Sequence, residues 1–283
     1  MDAQVDTRAQ DMLSRVGDIE LTTLLEAIYL RYHQDFRGYA RASLKRRIAQ
    51  SLLRFECPTI SRLQERLLHE PAVFTEFLRF VTVQVSEMFR DPSFFRAIRE
   101  VVVPHLATYP SVKIWVAGCS SGEEAYSYAI VLHEENLLDR AIIYATDISG
   151  QNLEQAQAGV YALQRIPQFT QNYQRAGGRR SFSDYYAAAY DAAALDRSLK
   201  SRIVFSDHSL STDSVFTEVQ LVSCRNVLIY FGDALQDRAI GLFRESLCRK
   251  GFLGLGSRET LRFATDAAAF TELVREERIY QKC

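Results

Sequence analysis

Between residues 20 and 80, apolar side chains return every three or four positions, the period of a helix with one buried face. Leu21, Leu24, Leu25, Ile28 and Tyr29 form one such stripe, and Leu44, Ile48, Leu52 and Leu53 form another within residues 42–55. Thr59 carries the side-chain oxygen that suits an N-cap ahead of Leu63 and Leu67. Pro71, with its fixed φ and missing N–H, suits the first turn of a helix holding Phe74, Phe77 and Leu78. Roughly four or five short helices are expected here, too few to bury much apolar area alone. Residues 81–92 show no period and read as a linker.

Beyond residue 93 the pattern changes to alternation. A helix to 106, a strand at 113–116, a helix to 133, a strand at 142–145 and a helix at 151–157 follow one another, which predicts a largely parallel sheet covered on both faces. The rhythm breaks at residues 166–200. Gly177, Gly178 and the pair Tyr185 and Tyr186 sit among short alternating runs there, as in a small antiparallel insertion. Strands at 202–206 and 219–223 resume the order. A helix at 234–248 follows, and residues 251–255 with 278–281 are expected to close the sheet as a hairpin across a long connection.

The chemistry concentrates where the first of these strands ends. Ile114-Trp-Val-Ala-Gly118-Cys-Ser-Ser-Gly122-Glu123-Glu124 reads as strand, tight loop, helix, with Gly118 and Gly122 able to turn sharply and to admit a ligand close to the backbone. The next strand ends in Asp147, where a carboxylate accepts both hydroxyls of a ribose or caps the helix that follows. The loop holds no basic residue, and Glu123 and Glu124 would repel a phosphate at the helix N-terminus. An adenosine without phosphates, such as S-adenosylmethionine, fits better than NAD or ATP. Of the two glutamates, one is expected to face the ligand and the other solvent.

Composition narrows the partners. Lys+Arg 34 against Asp+Glu 35 gives a formal net charge of -1, so no global field draws the chain to nucleic acid or an anionic membrane. No apolar run reaches membrane length and no leader pattern opens the chain, so a cytoplasmic location is expected. The 5 cysteines are odd in number and scattered, without a C-x-x-C pair, which argues against a disulfide framework or a zinc site. Charge gathers locally at Arg41, Lys45, Arg46, Arg47 and Arg54, either as a solvated face or as a docking face for an acidic partner.

With these elements placed, the chain resembles the CheR family of chemoreceptor methyltransferases. The resemblance rests on Val85-Ser86-Glu-Met-Phe-Arg90-Asp-Pro92, the loop from Gly118 to Ser127, Ala145-Thr-Asp147-Ile148, Cys224-Arg225-Asn226-Val-Leu-Ile-Tyr230-Phe231 and Leu255-Gly-Ser-Arg-Glu259, in that order along the chain. It implies an α/β fold: a Rossmann-like S-adenosylmethionine-dependent methyltransferase domain at 93–283, with a small antiparallel β-subdomain inserted at about 165–200. An all-helical domain at 1–80 and the linker at 81–92 precede it. It implies transfer of a methyl group from S-adenosylmethionine to receptor glutamates, leaving S-adenosylhomocysteine, by a monomer that needs no metal. Arg90 and Tyr230 match the catalytic positions. Gln84, Ser86, Arg90, Gly118, Glu124, Asp147, Ser209, Leu210, Arg225 and Asn226 match positions at the cofactor, although Arg225 and Asn226 equally suit a structural tie between the sheet and the next loop. Arg41, Lys45 and Arg54 match a helix that meets the receptor's acidic cytoplasmic coiled coil. Two positions depart from the pattern: Gln84 stands where asparagine is common, and Ser209 replaces an asparagine beside the adenine. A small-molecule methyltransferase and a non-catalytic cofactor-binding module are the competing readings.

Overall fold

The computed structural model describes residues 2–82 and 86–283, with side chains from Val16 onward. The chain divides into two compact units, Met1–Val83 with Tyr230–Leu235, and Gln84–Ile229 with Gln236–Cys283.

The first unit is built on helices Asp2–Tyr32, Arg41–Arg54, Ile60–His69 and Pro71–Val81. The leading helix is longer than the short one expected. The stripes meet as predicted: Leu21, Leu24, Ile28, Leu44, Ile48, Leu63, Leu67 and Phe77 are buried. Leu53, at the edge of the second stripe, is 82% exposed. Thr59 caps its helix by accepting the Arg62 N–H at 3.1 Å. The return of residues 230–235 to this unit has no local signature in the sequence. Phe231 pairs with Tyr39 in an antiparallel bridge, the Ala40 N–H donates to Tyr230 O at 2.9 Å, and the Gly232 N–H donates to Gly38 O at 2.8 Å.

The second unit carries strands β1 (Val112–Ala117), β2 (Ala141–Asp147), β3 (Val160–Ala162), β4 (Tyr186–Ala189), β5 (Ala192–Leu195), β6 (Ile203–Asp207), β7 (Val219–Cys224), β8 (Leu247–Leu255), β9 (Phe270–Val274) and β10 (Ile279–Lys282). Its 7-stranded sheet has the order β6-β2-β1-β7-β8-β10-β9. β6, β2, β1, β7 and β8 pair in parallel, and β10 runs antiparallel between β8 and β9. The chain steps from β1 to β2 on one side and returns to β7 on the other, so the sheet switches direction at the carboxyl end of β1, where open α/β sheets take their ligands. β1 is central and apolar on both faces, with Val112, Ile114, Trp115, Val116 and Ala117 all buried. β8 and β10 form the predicted closing hairpin, although β8 starts earlier than expected, directly after helix Asp233–Ser246. β9 was not foreseen.

The helix expected to end at Leu106 widens into a π-turn at Ile98–Val102, and the Val103 N–H reaches Ile98 O. Pro104 lacks an N–H and cannot continue the ordinary ladder, which accounts for the wider turn. The β-subdomain is a 3-stranded antiparallel sheet, β3-β5-β4, so it begins at Val160, ahead of the expected insertion. Phe182–Tyr185 is a 3-10 turn rather than part of an alternating strand. Its Tyr185 hydroxyl donates to Glu134 at 2.9 Å, which holds the turn inward. Glu134 also accepts from Tyr173, from the Arg179 amide and from Arg99 at 2.5 Å. Burial alone would raise its carboxyl, but these donors outweigh burial and hold it below the ordinary range.

Candidate functional site

β1 ends at Gly118, whose φ of +74° lies in the left-handed region, and a Cβ there would stand 2.5 Å from Val227 Cγ2. The amides of Gly118 and Cys119 both donate to Thr146 O at 2.8 Å, which folds the loop over the end of β2. Asp147 waits there. Its Oδ2 accepts the Ser120 N–H at 2.8 Å and its Oδ1 accepts the Ser149 N–H at 2.9 Å. Burial pushes this carboxyl above the ordinary carboxylate range, and the Ser149 and Ser120 amides pull the other way. The helix that follows is capped by Ser149, whose hydroxyl accepts the Asn152 N–H at 3.3 Å. Asp147 therefore ties two loops together; Oδ1 also accepts from the Asn152 side-chain amide at 3.5 Å, and Oδ2 keeps accepting capacity for a hydroxyl. Beside it the Ser120 hydroxyl is buried with no hydrogen-bond partner among the described residues. An unpaired hydroxyl beside a carboxylate suits a ribose, not a phosphate.

Neither glutamate after Gly122 faces solvent as one was expected to. The Glu123 side chain is fully buried and accepts from the Ser121 hydroxyl and from Arg165 Nη1 at 2.7 Å. Glu124 is 14% exposed; it accepts from the Ser223 hydroxyl at 2.7 Å and from Arg225 Nη1 at 3.1 Å. Behind it the Tyr128 hydroxyl donates to Ser223 Oγ at 3.0 Å.

Arg225 joins the end of β7 to the segment around Arg90. Its side chain is 1% exposed and lies over the Phe94 ring at 4.0 Å. Besides Glu124, it donates to Asp91 at 2.8 Å and to Arg90 O at 2.9 Å. Phe89 and Asp91 both have positive φ, 52° and 55°, so Arg90 stands between two left-handed residues. The Phe89 amide donates to Ser127 Oγ at 2.8 Å and its ring is buried against Phe95 and Tyr173. The backbone about Arg90 is thus held from both sides, by Ser127 at Phe89 and by Arg225 at Arg90 O and Asp91.

Asn226 follows with a φ of 61°. Its amide donates to Glu259 at 3.0 Å, and Glu259 also accepts from the amides of Gly256 at 2.6 Å and Ile229 at 3.3 Å. Burial raises the Glu259 carboxyl and those amides oppose the rise. Sequence reasoning singled out the Leu255 to Glu259 run without a role for Glu259; its function as a cap on the turn leading to Tyr230 depends on partners 30 and 33 residues away.

After β6, which pairs with β2 so that Asp207 lies opposite Asp147, the His208 amide donates to Asp147 O at 3.3 Å. Ser209 turns locally, its amide donating to Asp213 and its hydroxyl oxygen accepting the Ser211 N–H, and Leu210 is buried. Ser86 O accepts from Arg165. Gln84 lies outside the described residues. In the helical unit, the Arg47 guanidinium sits 4.7 Å from the Tyr230 ring centroid and donates to Val81 O at 2.7 Å. Arg47 is therefore buried, unlike the rest of the basic run. Lys45 pairs with Asp18 at 2.6 Å, Arg41 donates to Thr22 at 3.1 Å, and Arg54 pairs with Glu76 at 2.5 Å.

A parallel sheet that switches at β1, a glycine turn after its first strand and a carboxylate after its second define an S-adenosylmethionine-dependent methyltransferase of Rossmann-like type. Comparison with known sequences narrows the class. The description "CheR methyltransferase, SAM binding domain" matches residues 84–276, and "CheR methyltransferase, all-alpha domain" matches residues 19–82. A Pseudomonas putida protein named Cher3 is 57% identical over 95% of this chain and 98% of its own. A chemotaxis protein methyltransferase of Listeria innocua is 28% identical over 80% of this chain and 84% of its own, and one of Vibrio parahaemolyticus is 31% identical over 66% and 68%. The chain belongs to the CheR methyltransferase family, and its cofactor is S-adenosylmethionine. No helix among the described residues is long and apolar enough to cross a membrane.

Proposed function

We propose that the protein methylates glutamate side chains on the cytoplasmic coiled coil of a chemoreceptor, giving glutamyl methyl esters and S-adenosylhomocysteine in signalling adaptation. The observation that carries this reading is the match to both CheR domains, including the all-helical one that a small-molecule enzyme would not need. The name chemotaxis protein methyltransferase borne by the Listeria and Vibrio relatives supports it.

A glutamate carboxylate, with a reference pKa of about 4.3, is already ionised at neutral pH and needs no general base. S-adenosylmethionine, when bound, supplies a methyl group on a positively charged sulfur. The chain's part is to orient and to exclude water. In this reading Asp147 accepts the ribose hydroxyls, with Gly118, Ser86, Gln84, Glu124, Ser209, Leu210 and Asn226 completing the cofactor's surroundings. Arg90 holds a carboxylate in two-point geometry and Tyr230 orients the acceptor. Arg225 contributes by fixing the Arg90 backbone. Arg41, Lys45 and Arg54 form the rim that meets the acidic receptor helices, and the enzyme works as a cytoplasmic monomer.

The test is to incubate the protein with methyl-labelled S-adenosylmethionine and receptor-bearing membranes of its own cell. Base-labile label on a receptor band is the expected result. Label found only in small molecules would overturn the reading.

A further inference from the structure

Arg165 is absent from every expectation drawn from the sequence, yet it holds two of the segments assigned to the cofactor. It ends the 3-10 turn Leu163–Arg165, which follows β3 in the β-subdomain. Nη1 donates to Glu123 at 2.7 Å, and Nη2 donates to Ser86 O. The guanidinium lies 4.7 Å from the Phe169 ring centroid, and on β3 the Tyr161 hydroxyl donates to Ser121 O at 2.7 Å. The glycine loop therefore has one anchor on β2, through Thr146 O and Asp147, and a second on the small subdomain.

We propose that Arg165 is a positioning residue through which the β-subdomain sets the cofactor loop and the Ser86 segment, so that cofactor affinity depends on the Arg165–Glu123 pair. The inference rests on the reading that this loop and Ser86 border S-adenosylmethionine. Glu123 is the acidic residue of the pair with no exposure, and a buried carboxylate that loses its cation is driven toward water, taking the start of its helix and Ser121 with it. The other titratable groups facing it are Cys119 in the loop and Tyr161 on β3, and burial holds both well above their ordinary values. Neither can replace the guanidinium. Glu124, next along the helix, is engaged with Ser223 and Arg225.

The test is calorimetric titration of S-adenosylhomocysteine into the full chain and its Arg165→Met, Arg165→Lys, Glu123→Gln and Arg165→Met/Glu123→Gln variants, each first checked for a cooperative thermal transition. Arg165→Met should weaken binding by about tenfold or more, because it leaves Glu123 a buried carboxylate without its cation. Arg165→Lys should fall between, keeping the charge but not the second contact. The double variant should regain most of the affinity, a rescue that lost packing alone would not give. Binding by Arg165→Met within about twofold of the parent would overturn the proposal. A loss in Arg165→Met with no gain in the double variant would reduce Arg165 to packing and overturn it too. If the parent binds no S-adenosylhomocysteine, the cofactor reading itself fails. Should Arg165→Met not fold, the Arg165→Lys and Glu123→Gln arms decide: unchanged affinity in both sinks the idea.

Discussion

The strand ends of the large sheet and the basic helix of the helical unit both gather charge, and they hold it in opposite ways. At the strand ends the side chains of Glu123 and Arg225 are 0% and 1% exposed, and each is ion-paired with a group far away in the sequence. On helix Arg41–Arg54 the side chains of Arg41, Lys45 and Arg54 are 56%, 50% and 54% exposed, each with one exposed acidic neighbour. Buried charges of the first kind fix geometry and are costly to strip of a partner. Exposed ones of the second kind contribute little to stability and act on encounter with a partner, where salt screens them.

The largest effect should come from Glu259→Ala, which strips the amides of Gly256, Asn226 and Ile229 of their acceptor at once. A loss of about 3 kcal/mol or more in urea unfolding is expected, with turnover reduced because the turn before Tyr230 loosens. A loss below about 1 kcal/mol would mean that the strand ends tolerate unpaired groups as the basic helix does.

Asp147→Ala comes next. S-adenosylmethionine and S-adenosylhomocysteine should both weaken, by about 1.5–3 kcal/mol in calorimetry, since charged-group hydrogen bonds to the ribose and the hold on Ser120 go together. The carboxyl is raised by burial and works in its ionised form, so affinity should fall as the pH drops through a value above the ordinary carboxylate range. Asp147→Asn should lose that pH response. A parent affinity flat down to strongly acidic pH would remove Asp147 from the ribose.

Arg90→Lys and Tyr230→Phe should lower turnover by about tenfold or more, roughly 1.4 kcal/mol in the barrier, and weaken cofactor binding by less. Lost cofactor affinity with normal turnover would move both residues into the cofactor's surroundings. The smallest effect belongs to the basic face. Lys45→Gln should leave thermal stability nearly unchanged, because the Asp18 pair is exposed. Reversing Arg41 and Lys45 to glutamate should raise the receptor KM without touching cofactor affinity. Raising salt should act in the same direction, as the Debye length falls from about 30 Å at 0.01 M to about 10 Å at 0.1 M. Normal methylation by the double reversal at low salt would leave that helix a solvated face.

What the sequence disclosed divides along the same line. Local signals were readable: the apolar stripes of the helices, the Thr59 cap, the glycine turn at Gly118, Asp147 at the end of β2 and the strand runs of β8 and β10 all depend on neighbours within a few residues or on a periodic face. Long-range partners were not. Glu123 is buried because Arg165 stands 42 residues on, Arg225 is committed to Asp91 134 residues back, and Glu259 serves amides beyond its own turn. The same holds for Asp18, which neutralises much of a basic run that looked free, and for Tyr173 and Tyr185, which hold Phe182–Tyr185 in a turn through Glu134. No period or spacing carries such information, since it exists only after the chain has folded.

The most direct test of the account uses a purified receptor cytoplasmic fragment, unlabelled S-adenosylmethionine and mass spectrometry of the digested product. The account predicts the mass of one methyl group added to glutamate side chains on the coiled coil and removed by mild base, with Tyr230→Phe slowing the addition at saturating cofactor. A receptor fragment that stays unmodified while S-adenosylhomocysteine accumulates against a small-molecule acceptor would contradict it.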